Sequence, residues 1–482
     1  MIVNRRRLVA GLAGAAILPL MPGKIRAQEA PRLVTVSKRT LDVKGKAATV
    51  YGLTGPDGKP GLDMLLGEPF RVRLFNNTDT ETLIHWHGLT PPSAQDGVPM
   101  ISQDPIGPGQ SYDYDFINTR SGTHWMHSHM GLQEQQLLAA PLIVRETREP
   151  LFDGQEHVVL LHDFTFRDPV EILSELQGGG GAHAGHAMDQ TQMDHSQMDH
   201  SSTGEMPSAD ASAMLNDIVY DAYLANDRTL DDPEVVTVEK GGQIRLRIIN
   251  GAAASNMWID LGTLEGELIA VDGSAIYPVR GSMFPLAIAQ RADLRIRIPG
   301  GGGAFPVLFR PEGVDMRTGV VLATQGAAIP KISEAGDTAP ALDLAQELLY
   351  RAVARPPDEP VTRTEMLMLT GGGSDYVWGL NGKSMMHDTI FTVRQGERIS
   401  VMMHNMTGMA HPMHLHGHYF KVTAIGNMAI DGAIRDVVLV PAGETVTVTF
   451  DADNPGTWAF HCHHAYHMNA GMMGTINYSS AA

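Results

Sequence analysis

The chain has 482 residues, a formal net charge of −18, 43% hydrophobic residues and a single cysteine. That length is more than one hydrophobic core organises and suits three domains of ordinary size. The acidic balance argues against nucleic acid as a partner, and one cysteine excludes any intrachain disulfide. At the N-terminus, Asn4-Arg5-Arg6-Arg7-Leu8-Val9 opens an apolar stretch that runs to Leu20, and Ile25-Arg26-Ala27 offers a cleavage site. This predicts a removable signal over residues 1–27 rather than a membrane span. The paired arginines point to the twin-arginine export machinery and hence to the periplasm of a Gram-negative bacterium. No other stretch is apolar enough to cross a bilayer.

A long-period repeat follows. Gly67 to Asn76, Gly241 to Asn250 and Gly396 to Asn405 each read as a half-buried strand with turn residues at both ends. Each is followed by a second strand: Ser111 to Phe116, Asp293 to Ile298 and Thr445 to Phe450. Three copies predict three domains of one all-β fold, each an antiparallel sandwich of short alternating strands. The expected boundaries are 29–148, 152–325 and 346–482, with a linker at 326–345 rich in Ala and Pro.

Histidines sit in register on this repeat. His85 lies nine residues beyond Asn76 and His414 nine beyond Asn405, and His-x-His pairs occur at 85/87, 127/129, 414/416 and 416/418. Gly122-Thr123 precedes His127-Ser128-His129 as Gly456-Thr457 precedes His461-Cys462-His463. Domains 1 and 3 thus offer four imidazoles each, best used at the interface between them. The equivalent positions of domain 2 are Ile259 and Leu261, so domain 2 reads as a spacer. His418 is left without a metal in this scheme.

Cys462 carries the most chemistry. Successive side chains of an extended segment point to opposite faces. If Cys462 faces one metal, His461 and His463 face another, and the backbone connects the two. Cys462 with His411, His467 and Met472 makes a thiolate, two imidazoles and a distant thioether, the trigonal set of a blue-copper site. Where domain 3 has those four residues, domain 1 has Thr82, Ser128, Gln133 and Leu138. Structural zinc would want a closed tetrahedral shell, which this composition fits poorly.

The segment from Gly178 to Met214 belongs to no sandwich. It has no branched apolar or aromatic residue, so it is expected to be disordered. It does carry His183, His186, Met188, Met193, His195, Met198 and His200, partly as a Met-Asp-His-Ser repeat. Thioethers and imidazoles in that pattern suggest accessory Cu(I) binding. Met409, two residues before His411, is a further candidate Cu(I) contact, while most methionines of domain 3 read as core fillers.

His-Trp-His-Gly (85–88), His-Ser-His (127–129), His-Pro-Met-His-Leu-His-Gly (411–417) and the His-Cys-His segment with His467 and Met472 resemble the four copper motifs of three-domain multicopper oxidases. The resemblance implies three cupredoxin domains and four copper ions. His411, Cys462, His467 and Met472 would hold type 1, and His85 and His414 would hold type 2. His87, His127 and His463 would hold one type 3 copper, and His129, His416 and His461 the other. The implied reaction takes electrons singly at type 1 and reduces dioxygen to water at the trinuclear cluster. Asp96 matches a family position for a proton-handling carboxylate, though Asp96-Gly97 also reads as a plain turn. Some relatives carry an acidic residue directly after the second type 1 histidine, whereas this chain has Met468. Others have an Asp four residues before the first, where this chain has Thr407. The expected function is Cu(I) oxidation in copper tolerance by a monomer. A laccase-like oxidase of small phenols is the alternative, and a non-catalytic periplasmic copper-binding protein a third.

Overall fold

The structure is a computed structural model that describes residues 30–146, 154–178, 215–354 and 359–479. The leader and the Met/His-rich segment named above lie outside the described residues. The architecture is all-β: the described residues form six sheets, two in each of three successive segments of chain. The strands of the repeat are Pro69–Asn77, Gln243–Asn250 and Arg398–Asn405. Each pairs antiparallel with its second strand, at Ser111–Ile117, Arg291–Arg297 and Thr445–Asp451. Their alternation is what buries one face: in Pro69–Asn77, Phe70, Val72 and Leu74 are fully buried while Arg71 and Arg73 point outward to Asp115 and Asp113.

The sheets differ from expectation in being mixed rather than purely antiparallel. Arg32–Val43 runs parallel to the first repeat strand, as do Gln155–Phe164 and Arg363–Gly372 in the later domains. A parallel neighbour needs a long crossover, and in each domain the chain supplies one through intervening turns or strands. The described chain also holds two α-helices. Pro169–Gln177 starts where the Asp168 side chain accepts from the Val170 amide and Pro169 takes the first turn. Ala465–Asn469 is one short turn, set off by His464, between Cys462 and Met472.

Domain 1 has its own core around Phe70, Trp86 and Tyr114. The cores of domains 2 and 3 are continuous, running from Ile244 and Phe309 to Phe450 and Cys462. The stretch expected to link them lies along domain 2, with Ala339 and Leu342 packed against Trp258 and Ala287. No helix among the described residues is long and apolar enough to cross a membrane.

Candidate metal centres between domains 1 and 3

Local strand geometry delivers the histidines. Trp86 points into the domain 1 core against Phe70 and Tyr114, each 4.8 Å away, so the flanking His85 and His87 face the other way. Gly97 makes the turn behind them. Its φ is +80°, and an added Cβ would lie 1.9 Å from the Ile84 carbonyl oxygen, so no other residue fits. His85 pairs with His127 across one strand ladder, and His414 pairs with His461 across its domain 3 counterpart. The two ladders meet face to face. His85 lies over His416 and His87 over His414, both at 3.9 Å between ring centroids.

The nitrogens fall into compact groups: His85 with His87 and His414, His87 with His127 and His463, His129 with His416 and His461, and His85 with Asp96 and His416. A separate group joins His411, Cys462 and His467. There Cys462 Sγ is 3.5 Å from His411 Nδ1 and 3.8 Å from His467 Nδ1, and the two nitrogens are 3.2 Å apart. Met472 is fully buried, and its carbonyl accepts from the Cys462 amide. Cys462 therefore faces one centre while His461 and His463 face the other.

Outer hydrogen bonds fix which ring nitrogen is free. The carbonyls of Asp96 and Asp436 accept from Nδ1 of His85 and His414, both at 2.8 Å. A carbonyl only accepts, so those Nδ1 atoms carry the protons. Nε2 of each is left with a lone pair, buried and without a hydrogen-bond partner. Asp436 Oδ1 likewise takes His87 Nε2 at 3.1 Å, and Asp96 Oδ2 takes His416 Nδ1 at 2.7 Å. The Cys462 carbonyl holds His461 Nδ1 at 2.9 Å. Inner nitrogens then face each other: His416 and His461 at 2.9 Å, His127 and His463 at 3.3 Å, His129 and His461 at 3.4 Å. Buried lone pairs aimed at one another are costly unless a cation takes them. Metal ions fit this arrangement, and a soft one fits the Cys462 group.

Asp96 sits at a turn and also faces the cluster. It terminates the short helix at Ser93–Gln95, and its carboxylate also contacts His416 and, at 3.3 Å, His85 Nδ1. Thr407 Oγ1 is 2.7 Å from His411 Nε2. His418 bonds the His416 carbonyl and the Tyr478 hydroxyl. Met409 is partly buried against the main core. In domain 1, where the Cys462 group has its counterpart, Thr82 and Ser128 both donate to Gln133 Oε1, at 2.9 and 2.8 Å. An amide there satisfies the polar groups that a metal would satisfy in domain 3.

Domain 2 is more than the spacer expected. Arg291 is fully buried and forks onto Asp436 of domain 3 at 2.6 and 2.5 Å. Its Nε donates to the Thr123 carbonyl of domain 1 at 3.1 Å. Asp436 holds His87, so domain 2 reaches the cluster through one carboxylate. Sequence reading missed Arg291 and Asp436, and also Glu134 and Asp217. Asp217 Oδ2 sits 3.0 Å from His467 Nε2.

Burial sets the electrostatics. It holds His87, His127, His129, His414, His416 and His463 well below the ordinary imidazole range, with the neighbouring rings reinforcing it. It lowers His461 to about 4 and His467 to about 3. Every such ring is neutral at pH 7 and ready to ligate. Burial pushes the Cys462 thiol up, so metal binding there must displace a proton. The metal-free chain is expected to be acid-sensitive. Unfolded imidazoles protonate near pH 6.5 while the folded ones stay neutral, so the unfolded state binds more protons. Stability is full above about pH 6.5 and falls as pH drops toward 4. For His461, lowered to about 4, the loss is on the order of 3 kcal/mol. Urea midpoints of the metal-free protein between pH 7.5 and 4 should show this decline, and a flat profile would contradict it.

Comparison with known proteins agrees with this geometry. Multicopper oxidase family profiles match residues 35–149, 155–325 and 358–482. The chain is 30% identical over 460 residues to multicopper oxidase MmcO of Mycobacterium tuberculosis, spanning 92% of this chain and 86% of the relative. It is 25% identical to the copper resistance protein A homolog of Pseudomonas syringae pv. tomato, with 97% of this chain and 98% of the relative aligned. The solved multi-copper oxidase of Pseudomonas thermotolerans superposes with a TM-score of 0.70 at 25% identity, covering 93% of this chain and 98% of that one. Likeness at that level over nearly the whole length extends beyond the fold to the chemistry: the chain belongs to the multicopper oxidase family, copper-dependent oxidoreductases that use dioxygen.

Proposed function

We propose that the protein is a periplasmic cuprous oxidase with four coppers, exported by the twin-arginine route. His411, Cys462 and His467, with Met472 as the distant fourth ligand, hold type 1. His85 and His414 hold type 2. The sets His87, His127, His463 and His129, His416, His461 hold the type 3 pair. Bound in these places, copper supplies one-electron chemistry at type 1 and oxygen reduction at the cluster. The net reaction is four Cu(I), one dioxygen and four protons giving four Cu(II) and two waters. The His461-Cys462-His463 peptide is the covalent path between the two centres.

The cover over His467 carries the choice of substrate. The ring is fully buried. Trp378 stacks on it at 4.0 Å, and His464 stacks on it at 3.7 Å. Its outward Nε2 donates to Asp217 Oδ2, and the Tyr376 hydroxyl donates to the same oxygen. A phenol needs a free edge or face of this imidazole, and none is free. What reaches solvent is the Asp217 carboxylate, whose side chain is 12% exposed. A negative group in that position draws a small cation. The Met/His-rich segment ends three residues before Asp217, so soft ligands and the carboxylate adjoin in sequence. A relative named for copper resistance fits the same reading.

Dioxygen uptake by the copper-loaded protein tests it, with Cu(I) or a methoxyphenol as reductant. Cu(I) should be the faster reductant. Deleting residues 178–214 should raise the apparent KM for Cu(I) about tenfold, the lower end for removing supporting groups of a metal site, and leave phenol turnover unchanged. Asp217→Ala should raise KM for Cu(I) and admit phenol. A wild type that prefers phenol, with neither change affecting Cu(I), would establish a laccase-like oxidase instead.

A further inference from the structure

Three buried carboxylates surround the imidazole cluster, and two of them form a symmetric pair. Asp96 gives its carbonyl to His85 of domain 1 and its carboxylate to His416 of domain 3. Asp436 gives its carbonyl to His414 of domain 3 and its carboxylate to His87 of domain 1. Each therefore ties one imidazole of each domain, with the domains exchanged.

Glu134 has no such counterpart. With His127-Ser128-His129 in register with His461-Cys462-His463, Gln133 falls opposite His467 and Glu134 opposite Met468. Met468 packs in an apolar cluster with Val98, Ala459 and Met473. Glu134, only 3% exposed, turns inward to the cluster instead. Its Oε2 lies 3.1 Å from His127 Nδ1, and its Oε1 lies 3.8 Å from His463 Nδ1. Both Glu134 Oε1 and His463 Nδ1 are buried without another partner. The inner Nε2 atoms of the same two rings face each other at 3.3 Å. Two rings, one from each domain, thus point one nitrogen at a common centre and the other at one carboxylate, with the Ser128 carbonyl sharing His127 Nδ1 at 3.2 Å.

We infer that Glu134 is a positioning residue, a clasp across the domain 1 and domain 3 boundary that orients His127 and His463 on one type 3 copper. This rests on the proposed assignment of those two histidines to one ion. The consequence is an asymmetric pair. All three ligands of that copper face carboxylates, His87 through Asp436 and the other two through Glu134. At the other copper only His416 has one. His461 has only the Cys462 carbonyl, whereas His127, which likewise reaches the Ser128 carbonyl at 3.2 Å, has Glu134 beside it as well; His129 Nδ1 has no hydrogen-bond partner. Carboxylate partners fix the tautomer and raise the basicity of a ligating imidazole, so the two type 3 ions are bound unequally.

The test compares copper-loaded full chains of wild type, Glu134→Leu and Glu134→Gln. The readouts are copper per chain, the paramagnetic resonance of uncoupled cluster copper, and retention during titration with a chelator. Leucine keeps bulk and removes the acceptor, whereas glutamine keeps an acceptor oxygen. E134L should lose cluster copper at a chelator concentration about 10- to 100-fold lower than wild type. It should show an uncoupled copper signal while keeping its blue absorbance. The blue centre is built from His411, Cys462 and His467 of domain 3, whereas Glu134 contacts His127 and His463, so that centre reports in the same sample that the fold is intact. E134Q should fall between wild type and E134L, because its one acceptor oxygen serves only one of the two rings and an amide is a weaker acceptor than a carboxylate. Wild-type retention in E134L, or copper loss in E134Q equal to that in E134L, would overturn the clasp alone. A wild type that holds no coupled pair would overturn the ligand assignment and the clasp together.

Discussion

Cys462→Ser is expected to abolish oxidase turnover while leaving the eight-imidazole cluster able to bind copper. The residual rate should be more than about a hundredfold below wild type, because a hundredfold is already the upper range for partners that merely orient a ligand. Domain 1 supplies the physical reason. There the equivalent position is Ser128, whose hydroxyl donates to Gln133 at 2.8 Å in a group closed by Thr82. A hydroxyl is a hard, neutral donor, and two imidazoles with a hydroxyl do not make the soft trigonal set that thiolate does. The change is small in volume, and Cys462 is fully buried in the main core, so the fold should survive it. The checks are loss of the blue absorbance, retention of cluster copper by elemental analysis, and dioxygen uptake with Cu(I). Turnover near the wild-type rate without a blue centre would mean that electrons reach the cluster by a path that avoids Cys462.

The grouping of the histidines and Cys462 was legible because strand alternation makes a two-residue spacing a directional statement. Trp86 in the core with His85 and His87 on the other side follows from period-two geometry. So does Cys462 opposed by His461 and His463. The repeat was legible for the same reason, and its first and second strands pair as their alternation requires. The groups around the ligands were not legible. Asp436 follows His414 by 22 residues, whereas Asp96 follows His85 by 11. The symmetry that makes them equivalent is spatial and leaves no common spacing. Glu134 stood in register with Met468, but register does not show which way a loop residue turns. Arg291 lies two residues before the strand that the sequence marks from Asp293, and nothing local singles it out because its partners come from two other domains. Asp217 follows a low-complexity segment, and nothing local ties it to His467, which lies 250 residues away.

Arg291→Met should cost about 3–5 kcal/mol of stability, the usual penalty for leaving a buried partner charge uncompensated. The guanidinium is enclosed by three domains. It forks onto Asp436, approaches Asp272 at 3.7 Å and donates to the Thr123 and Ala289 carbonyls. Arg435, which also donates to Glu347, would still serve Asp272. Asp436 would lose its direct cationic partner and keep only the weaker pull of Arg120, opposed by Asp272, and burial already raises its carboxyl against the pull of Arg291. Without the arginine it should take up a proton, and a protonated carboxyl orients His87 Nε2 less firmly. The variant should therefore unfold at lower denaturant and release cluster copper more readily, with the blue centre less affected. Asp436→Asn added to Arg291→Met should recover much of the stability, because removing both partners leaves no orphaned charge. It should not restore His87 support fully, since an amide is a weaker acceptor than a carboxylate. Recovery of stability without recovery of copper retention would separate the two contributions of Arg291: joining the domains and, through Asp436, holding one imidazole in place. If the single variant were as stable and as copper-replete as wild type, domain 2 would revert to the spacer its sequence suggests.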